Sequence, residues 1–115
     1  GPRPDGQLPT EAVERLQYIG HFLAQYGETI YGTRGGLVAP HDWGVSTQKD
    51  NRLFIHILSL TDKALFIPTG DHKVKAAKVF INGKKVGLKA VSNGYVLTLP
   101  EQPSGDDYVV ELTLA

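Results

Sequence analysis

Four histidines are the first candidates for chemistry in this chain, because imidazole is the commonest metal ligand in proteins. They are His21, His41, His56 and His72. Their spacing shows no metal-binding pair, and His41 is followed directly by Asp42, so these two side chains do not face one ligand. No cysteine is present to supply a thiolate ligand or a nucleophile. We therefore expect no metal site and no cofactor.

A short segment near the end of the chain carries the acidic residues Glu101, Asp106 and Asp107. Paired carboxylates can act as a general acid and base when burial raises the pKa of one of them. This segment also contains Pro103 and Gly105, and such a composition predicts a solvated loop. We interpret these carboxylates as loop residues rather than as a catalytic pair.

The elements that would position such side chains change character along the chain. Thr10 resembles a helix N-cap, Glu11 and Glu14 suit the first turn, and Gly27 suits a left-handed C-cap. Apolar residues recur at helical spacing in between, and we predict an α-helix over residues 10–26. This apolar stripe consists of Val13, Leu16, Ile19, Gly20, Leu23 and Ala24.

From residue 31 onward the apolar period is two, and turn signals separate short runs. Asn82-Gly83 is the strongest of these signals, and it predicts a two-residue type I′ hairpin with φ above zero at both residues. Several short strands at this spacing predict an antiparallel β-sandwich. The predicted strands are Trp43–Thr47, Arg52–Leu58, Ala64–Ile67, Val74–Ile81, Lys85–Lys89, Tyr95–Leu99 and Tyr108–Leu114.

The single helix needs a partner, because one isolated helix of this length is marginal in water. On the residues alone, two possibilities remain. The helix either covers one sheet of the sandwich, or it belongs to a neighbouring domain.

Composition restricts the classes of partner. The chain has 115 residues, 41% of them hydrophobic, and a formal net charge of zero. It carries neither the basic excess of a nucleic-acid-binding domain nor an apolar run long enough to span a bilayer. We expect no nucleic-acid partner and no membrane partner. The lysines fall on predicted strands and a hairpin, where a solvated face is the favoured interpretation.

An ordered series of segments resembles the C-terminal region of α-L-fucosidases of glycoside hydrolase family 29. The segments are Gly1–Gly6, Glu14–Gly20, Gly27–Gly36, Trp43–Thr47, Leu53–Leu58 and Ala64–Pro68. Leu37 departs from the pattern, because the family is expected to have proline there.

The resemblance implies a mainly β fold: an antiparallel β-sandwich preceded by one α-helix, which would be the last helix of a (β/α)₈-like barrel. Residues 1–30 would then be the terminal loop and last helix of the catalytic barrel, and residues 31–115 the C-terminal β-sandwich domain. The apolar stripe of the helix would face barrel strands that precede this chain. The implied location is periplasmic or secreted.

The family hydrolyses α-L-fucosides with retention, and both catalytic carboxyl groups come from upstream barrel segments. The resemblance therefore assigns no catalytic residue to this sequence, and we expect the segment alone to be inactive. The implied partners are the missing catalytic barrel and, through the parent enzyme, fucosylated glycans.

Four residues remain candidates for a substrate-side rim or for interdomain contacts. Arg3 and Asp5 would lie near the mouth of the barrel, although a solvated Arg beside a turn-forming Asp is the favoured interpretation. Arg34 lies in a glycine-rich junction, where an interdomain ion pair is favoured over a substrate contact. Trp43, the only tryptophan, could stack on a sugar ring, but we favour a packing role.

Two functional hypotheses follow. In the first, the chain is part of a fucosidase and its sandwich braces the catalytic barrel. In the second, the sandwich is an independent carbohydrate-binding module.

Overall fold

A computed structural model describes residues 27–29, 34–103 and 108–115 of the chain. The predicted helix over residues 10–26 lies outside these ranges, as do Arg3, Asp5 and the proposed boundary between residues 30 and 31. A 3₁₀ turn over Gly27–Thr29 is the first element described.

In the described ranges, eight β-strands form two sheets, and every strand pairing is antiparallel. The first sheet has five strands in the order β1-β2-β3-β8-β5, and the second has three in the order β4-β7-β6. The predicted antiparallel β-sandwich is therefore confirmed. The strands are β1 (Arg34–Gly35), β2 (Gly44–Lys49), β3 (Arg52–Ile57), β4 (Ala64–Ile67), β5 (Val74–Val79), β6 (Gly87–Val91), β7 (Gly94–Thr98) and β8 (Tyr108–Leu114).

The core lies between the two sheets and follows from alternation along the strands. In β4 only Leu65 and Ile67 are buried, and β7 contributes Tyr95 and Leu97 directly opposite them. The five-stranded sheet supplies the other half of the core. Its largest fully buried members on this face are Leu53, Ile55, Ile57, Val79, Val110 and Leu112.

The central strand β3 is buried on both faces. Phe54 on its second face is fully buried and packs edge-to-face with Phe80, with ring centroids 6.0 Å apart. Val109 belongs to the same small cluster. The five-stranded sheet therefore has an apolar patch on the face that points away from the main core.

The turn at Asn82-Gly83 differs from the predicted type I′ hairpin. Gly83 has a φ of 72°, but Asn82 is not among the residues with positive φ. The Asn82 side chain instead accepts a hydrogen bond from the Lys84 N–H at 2.9 Å, and the Val79 N–H donates to the Lys84 carbonyl at 2.8 Å. The loop therefore spans four residues, and the chain then leaves the five-stranded sheet for the three-stranded one.

Several strands begin or end one or two residues away from the predicted positions. The first predicted strand runs on to Lys49, the strand from Val74 stops at Val79, and the strand predicted from Lys85 begins at Gly87. Within the described ranges, no helix has the length and apolar character needed to cross a bilayer.

Candidate functional site

A tight turn at the start of β2 places Trp43. The His41 N–H donates to the Gly44 carbonyl at 2.8 Å, and the Gly44 N–H donates back to the His41 carbonyl at 3.0 Å. The Trp43 carbonyl accepts the N–H groups of Leu58 at 2.7 Å and Ser59 at 3.2 Å. Trp43 is thus fixed by backbone hydrogen bonds on both sides, and its side chain is 8% exposed and belongs to the core.

The His41 ring lies parallel to the Trp43 indole. Their centroids are 5.5 Å apart and the ring planes differ by 3°. His41 Nδ1 is 2.6 Å from the Ala39 carbonyl oxygen. Because a carbonyl only accepts, Nδ1 carries the proton, and in the neutral ring Nε2 is left as an acceptor. The result is a two-layer aromatic stack with a buried indole and an exposed imidazole.

This stack forms one wall of a surface pocket of about 520 Å³. Residues 40–43 line one side of the pocket, and Leu60 with residues 64–66 lines the other. Phe66 is 43% exposed, since it lies on the outer face of β4. Asp42 is exposed and also lines the pocket. The arrangement joins aromatic surface to one carboxylate, which is the usual make-up of a small-molecule site.

The structure describes two of the four residues singled out in the sequence, and these two do not share a site. Trp43 lines the pocket. Arg34 lies instead on the edge strand β1 opposite Gln48 and is exposed. Among the described residues it makes no ion pair. Arg3 and Asp5 lie outside the described ranges, so the rim and interdomain roles of these residues stay predictions.

His41, Asp42 and Phe66 were not recognised from the sequence as pocket residues. A usable signal existed for Phe66, because it occupies an outward position in a strand whose other large residues alternate inward. The stacking of His41 on Trp43 depends on the turn between them, and no local sequence pattern predicts that turn.

A second polar cluster lies on the outward face of the five-stranded sheet. Arg52 Nη2 is 2.8 Å from Glu111 Oε1, while Lys78 Nζ is 4.0 Å from the other oxygen. The Glu111 side chain is only 9% exposed. The Arg52 guanidinium also lies 5.0 Å from the centre of the Phe54 ring. This buried carboxylate has charged partners on both neighbouring strands, as burial of a charge requires.

Thr47 connects this face to the 3₁₀ turn that precedes the sandwich. Its hydroxyl is 2.6 Å from the carbonyl oxygen of Thr29 and 2.8 Å from His56 Nε2. The single hydroxyl proton goes to the carbonyl, so His56 Nε2–H is the donor in the second hydrogen bond. Thr29 is fully buried and His56 is 6% exposed. The turn at residues 27–29 is therefore attached to the sheet by two part-buried hydrogen bonds that meet at Thr47.

Glu101, an acidic candidate from the sequence, does not line the pocket. Glu101 forms an exposed pair with Lys84 at 3.3 Å and accepts a hydrogen bond from the Tyr108 hydroxyl at 3.2 Å. Asp106 and Asp107 lie outside the described ranges. In the part of the chain that the structure describes, no group of three His, Asp or Glu residues could hold a metal ion.

Comparisons with known proteins match most or all of the chain to α-L-fucosidases. No family model matches it. An α-L-fucosidase of Dictyostelium discoideum is 25% identical over an alignment of 111 positions, which covers 87% of this chain and 24% of that protein.

Solved structures agree with this match. α-L-Fucosidase isoenzyme 1 from Paenibacillus thiaminolyticus superimposes with a TM-score of 0.80 at 26% identity, covering 100% of this chain and 29% of that one. The α-fucosidase of Thermotoga maritima gives a TM-score of 0.74 at 29% identity, covering 98% of this chain and 29% of that one. These matches confirm the resemblance to the C-terminal region of α-L-fucosidases. The chain spans about a quarter of the curated relative's length.

Proposed function

We propose that this chain is the C-terminal region of a retaining α-L-fucosidase, in which the β-sandwich braces the catalytic barrel. The observation that carries the proposal is the superposition of the full chain on 29% of the Paenibacillus enzyme, with a TM-score of 0.80 at 26% identity. The Dictyostelium match supports it independently at the level of sequence.

The chemistry of the parent explains why this region would support catalysis rather than perform it. A retaining glycosidase holds two carboxyl groups about 5 Å apart, one as nucleophile and one as acid/base. The resemblance assigns both to barrel segments upstream of the part matched here. The contribution of this chain is then to hold those segments in place.

Bracing requires a rigid junction between the sandwich and whatever precedes it. The hydrogen bonds from Thr47 to Thr29 and His56 support such a junction, because both of these partners are buried. It lies on the face of the five-stranded sheet that also carries Phe54 and the Glu111 ion pairs. A chain entering through residues 27–29 is thus fixed to the five-stranded sheet.

The proposal is tested by comparing this chain with the protein expressed from its own gene with the upstream coding sequence included. We expect the 115-residue chain to release no aryl group from an aryl α-L-fucoside. The extended protein should hydrolyse it and form the α-anomer of fucose first, as retention demands. Turnover by the short chain at enzyme-like rates, or no fucosidase activity in the extended protein, would contradict the proposal.

The second candidate function is an independent carbohydrate-binding module. The pocket beside His41 and Phe66 favours it, since both of these rings are exposed. The two functions are compatible, because bracing uses the face around Thr47 whereas binding would use the pocket.

A further inference from the structure

The pocket lined by residues 40–43, Leu60 and residues 64–66 shares no residue with the junction formed by Thr29, Thr47 and His56. It combines three features that the rest of the described surface does not bring together: an exposed imidazole supported by an indole, a second exposed aromatic ring, and a carboxylate. Its volume of about 520 Å³ lies within the range of small-molecule sites.

We propose that this pocket binds one neutral pyranose unit of a glycan. The C–H faces of a pyranose ring are apolar and pack on aromatic rings, while its hydroxyl groups need hydrogen-bond partners at the ring edge. Phe66 and His41 provide the aromatic surface, and His41 is held in place by its stacking on Trp43.

The polar groups of the pocket suit hydroxyl donors. The Asp42 carboxylate only accepts hydrogen bonds, and it has no hydrogen-bond partner among the described residues. His41 Nε2 is an acceptor in the neutral ring, because Nδ1 donates to the Ala39 carbonyl. Two acceptors beside an apolar surface match the hydroxyl groups at one edge of a sugar.

Charge restricts the class of sugar. Among the described residues, Asp42 is the only charged one that lines the pocket, and no described lysine or arginine lines it. A carboxylate or sulfate on the ligand would meet an uncompensated negative charge. The geometry therefore selects neutral sugars over uronic, sialic or sulfated ones.

The inference rests on the proposed function only in the choice of probe, since the parent would act on fucosylated glycans. Fucosyllactose and methyl α-L-fucoside are titrated into the chain, with glucuronic acid as the acidic comparison. Trp43 is the only tryptophan, so its fluorescence reports directly on the pocket. Backbone amide shifts in NMR spectra locate the binding.

We expect saturable binding with a dissociation constant of about 1–10 mM for a neutral probe, and amide shifts confined to residues 39–43 and 60–66. Glucuronic acid should bind more weakly. The proposal would be overturned if binding reached saturation with neither neutral probe at about 50 mM. Amide shifts centred on other residues would overturn it as well.

Two variants with matched controls decide whether the named side chains bind. Asp42→Asn and Phe66→Ser should each raise the dissociation constant about tenfold or more. Asp71→Asn and Ile81→Ser change an exposed aspartate and a 51% exposed isoleucine outside the pocket, and should leave binding unchanged. Equal effects of variants and controls would refute the site.

The two proposals fail separately. If the unaltered chain bound neither neutral probe and the extended protein had fucosidase activity, only the pocket proposal would be overturned. If the chain bound a neutral saccharide but the extended protein lacked fucosidase activity, only the fucosidase proposal would be overturned.

Discussion

Thr47 shows how one side chain determines the entry of the chain into the sandwich. Its hydroxyl satisfies the Thr29 carbonyl and accepts from His56 at the same time, and both partners are buried. A buried polar group that loses its partner costs about 1–3 kcal/mol. The junction therefore depends on a hydroxyl that a sequence pattern would assign to an ordinary solvent-facing strand position.

Replacing this hydroxyl by a methyl group tests the junction at the residue scale. We expect Thr47→Val to lower the free energy of unfolding by about 1–3 kcal/mol and to speed amide hydrogen exchange at residues 27–29. Thr98→Val is the matched control, because Thr98 is an exposed threonine on β7. Chemical denaturation and exchange mass spectrometry measure both effects. If the two variants behaved alike, the Thr47 hydrogen bonds would not contribute measurably to the free energy of unfolding.

At the element scale, the pairing of β2 with β3 depends on a close approach at Gly44. Gly44 has a φ of 150° and pairs with Ile57. A Cβ atom added there would collide with the backbone carbonyl of His56. Glycine is thus required for the turn that carries His41 and Trp43 to be continuous with the sheet.

We expect Gly44→Ala to destabilise the domain by about 3 kcal/mol or more, because backbone strain and overpacking each cost about 1–3 kcal/mol. Gly35→Ala is the control, since nothing lies within 4 Å of a Cβ added at Gly35. Thermal unfolding of both variants checks this expectation. A stable Gly44→Ala protein with an unchanged tryptophan spectrum would show that the turn tolerates a side chain.

On the scale of the whole molecule, the two sheets share one core. Ile55 of the five-stranded sheet and Leu97 of the three-stranded sheet are both fully buried in the same cluster. The Val74 N–H also donates to the Tyr95 hydroxyl at 3.0 Å, and this buried hydrogen bond joins β5 to β7 across the sandwich. Neither sheet can therefore bury its apolar face without the other.

Truncation on either sheet should accordingly weaken one cooperative transition. We expect Ile55→Ala and Leu97→Ala each to cost about 2–5 kcal/mol without splitting the unfolding curve. Leu58→Ala should stay within about 0.5 kcal/mol of the parent, because Leu58 is 57% exposed. Calorimetry would contradict a shared core if one of the two core variants produced a second transition.

The sequence alone predicted the antiparallel sandwich, since alternation and turn residues are local signals that mark where strands begin and which face is apolar. It also indicated the fucosidase resemblance, because an ordered series of short segments survives at low identity. The sequence did not predict the order of the strands in the sheets. The pairing of β3 with β8 joins residues 51 to 61 positions apart, and no local pattern encodes that distance.

Only the tertiary structure decided the turn at Asn82-Gly83 and the composition of the pocket. At that turn, residues 84–86 still pair with β5, and they close a four-residue loop instead of the predicted two-residue hairpin. In the pocket, residues 40–43 meet residues 64–66 because the β3–β4 connection returns the chain beside the Trp43 turn. A site made of separate segments exists only once both sheets are packed, because packing alone sets the distances between its side chains.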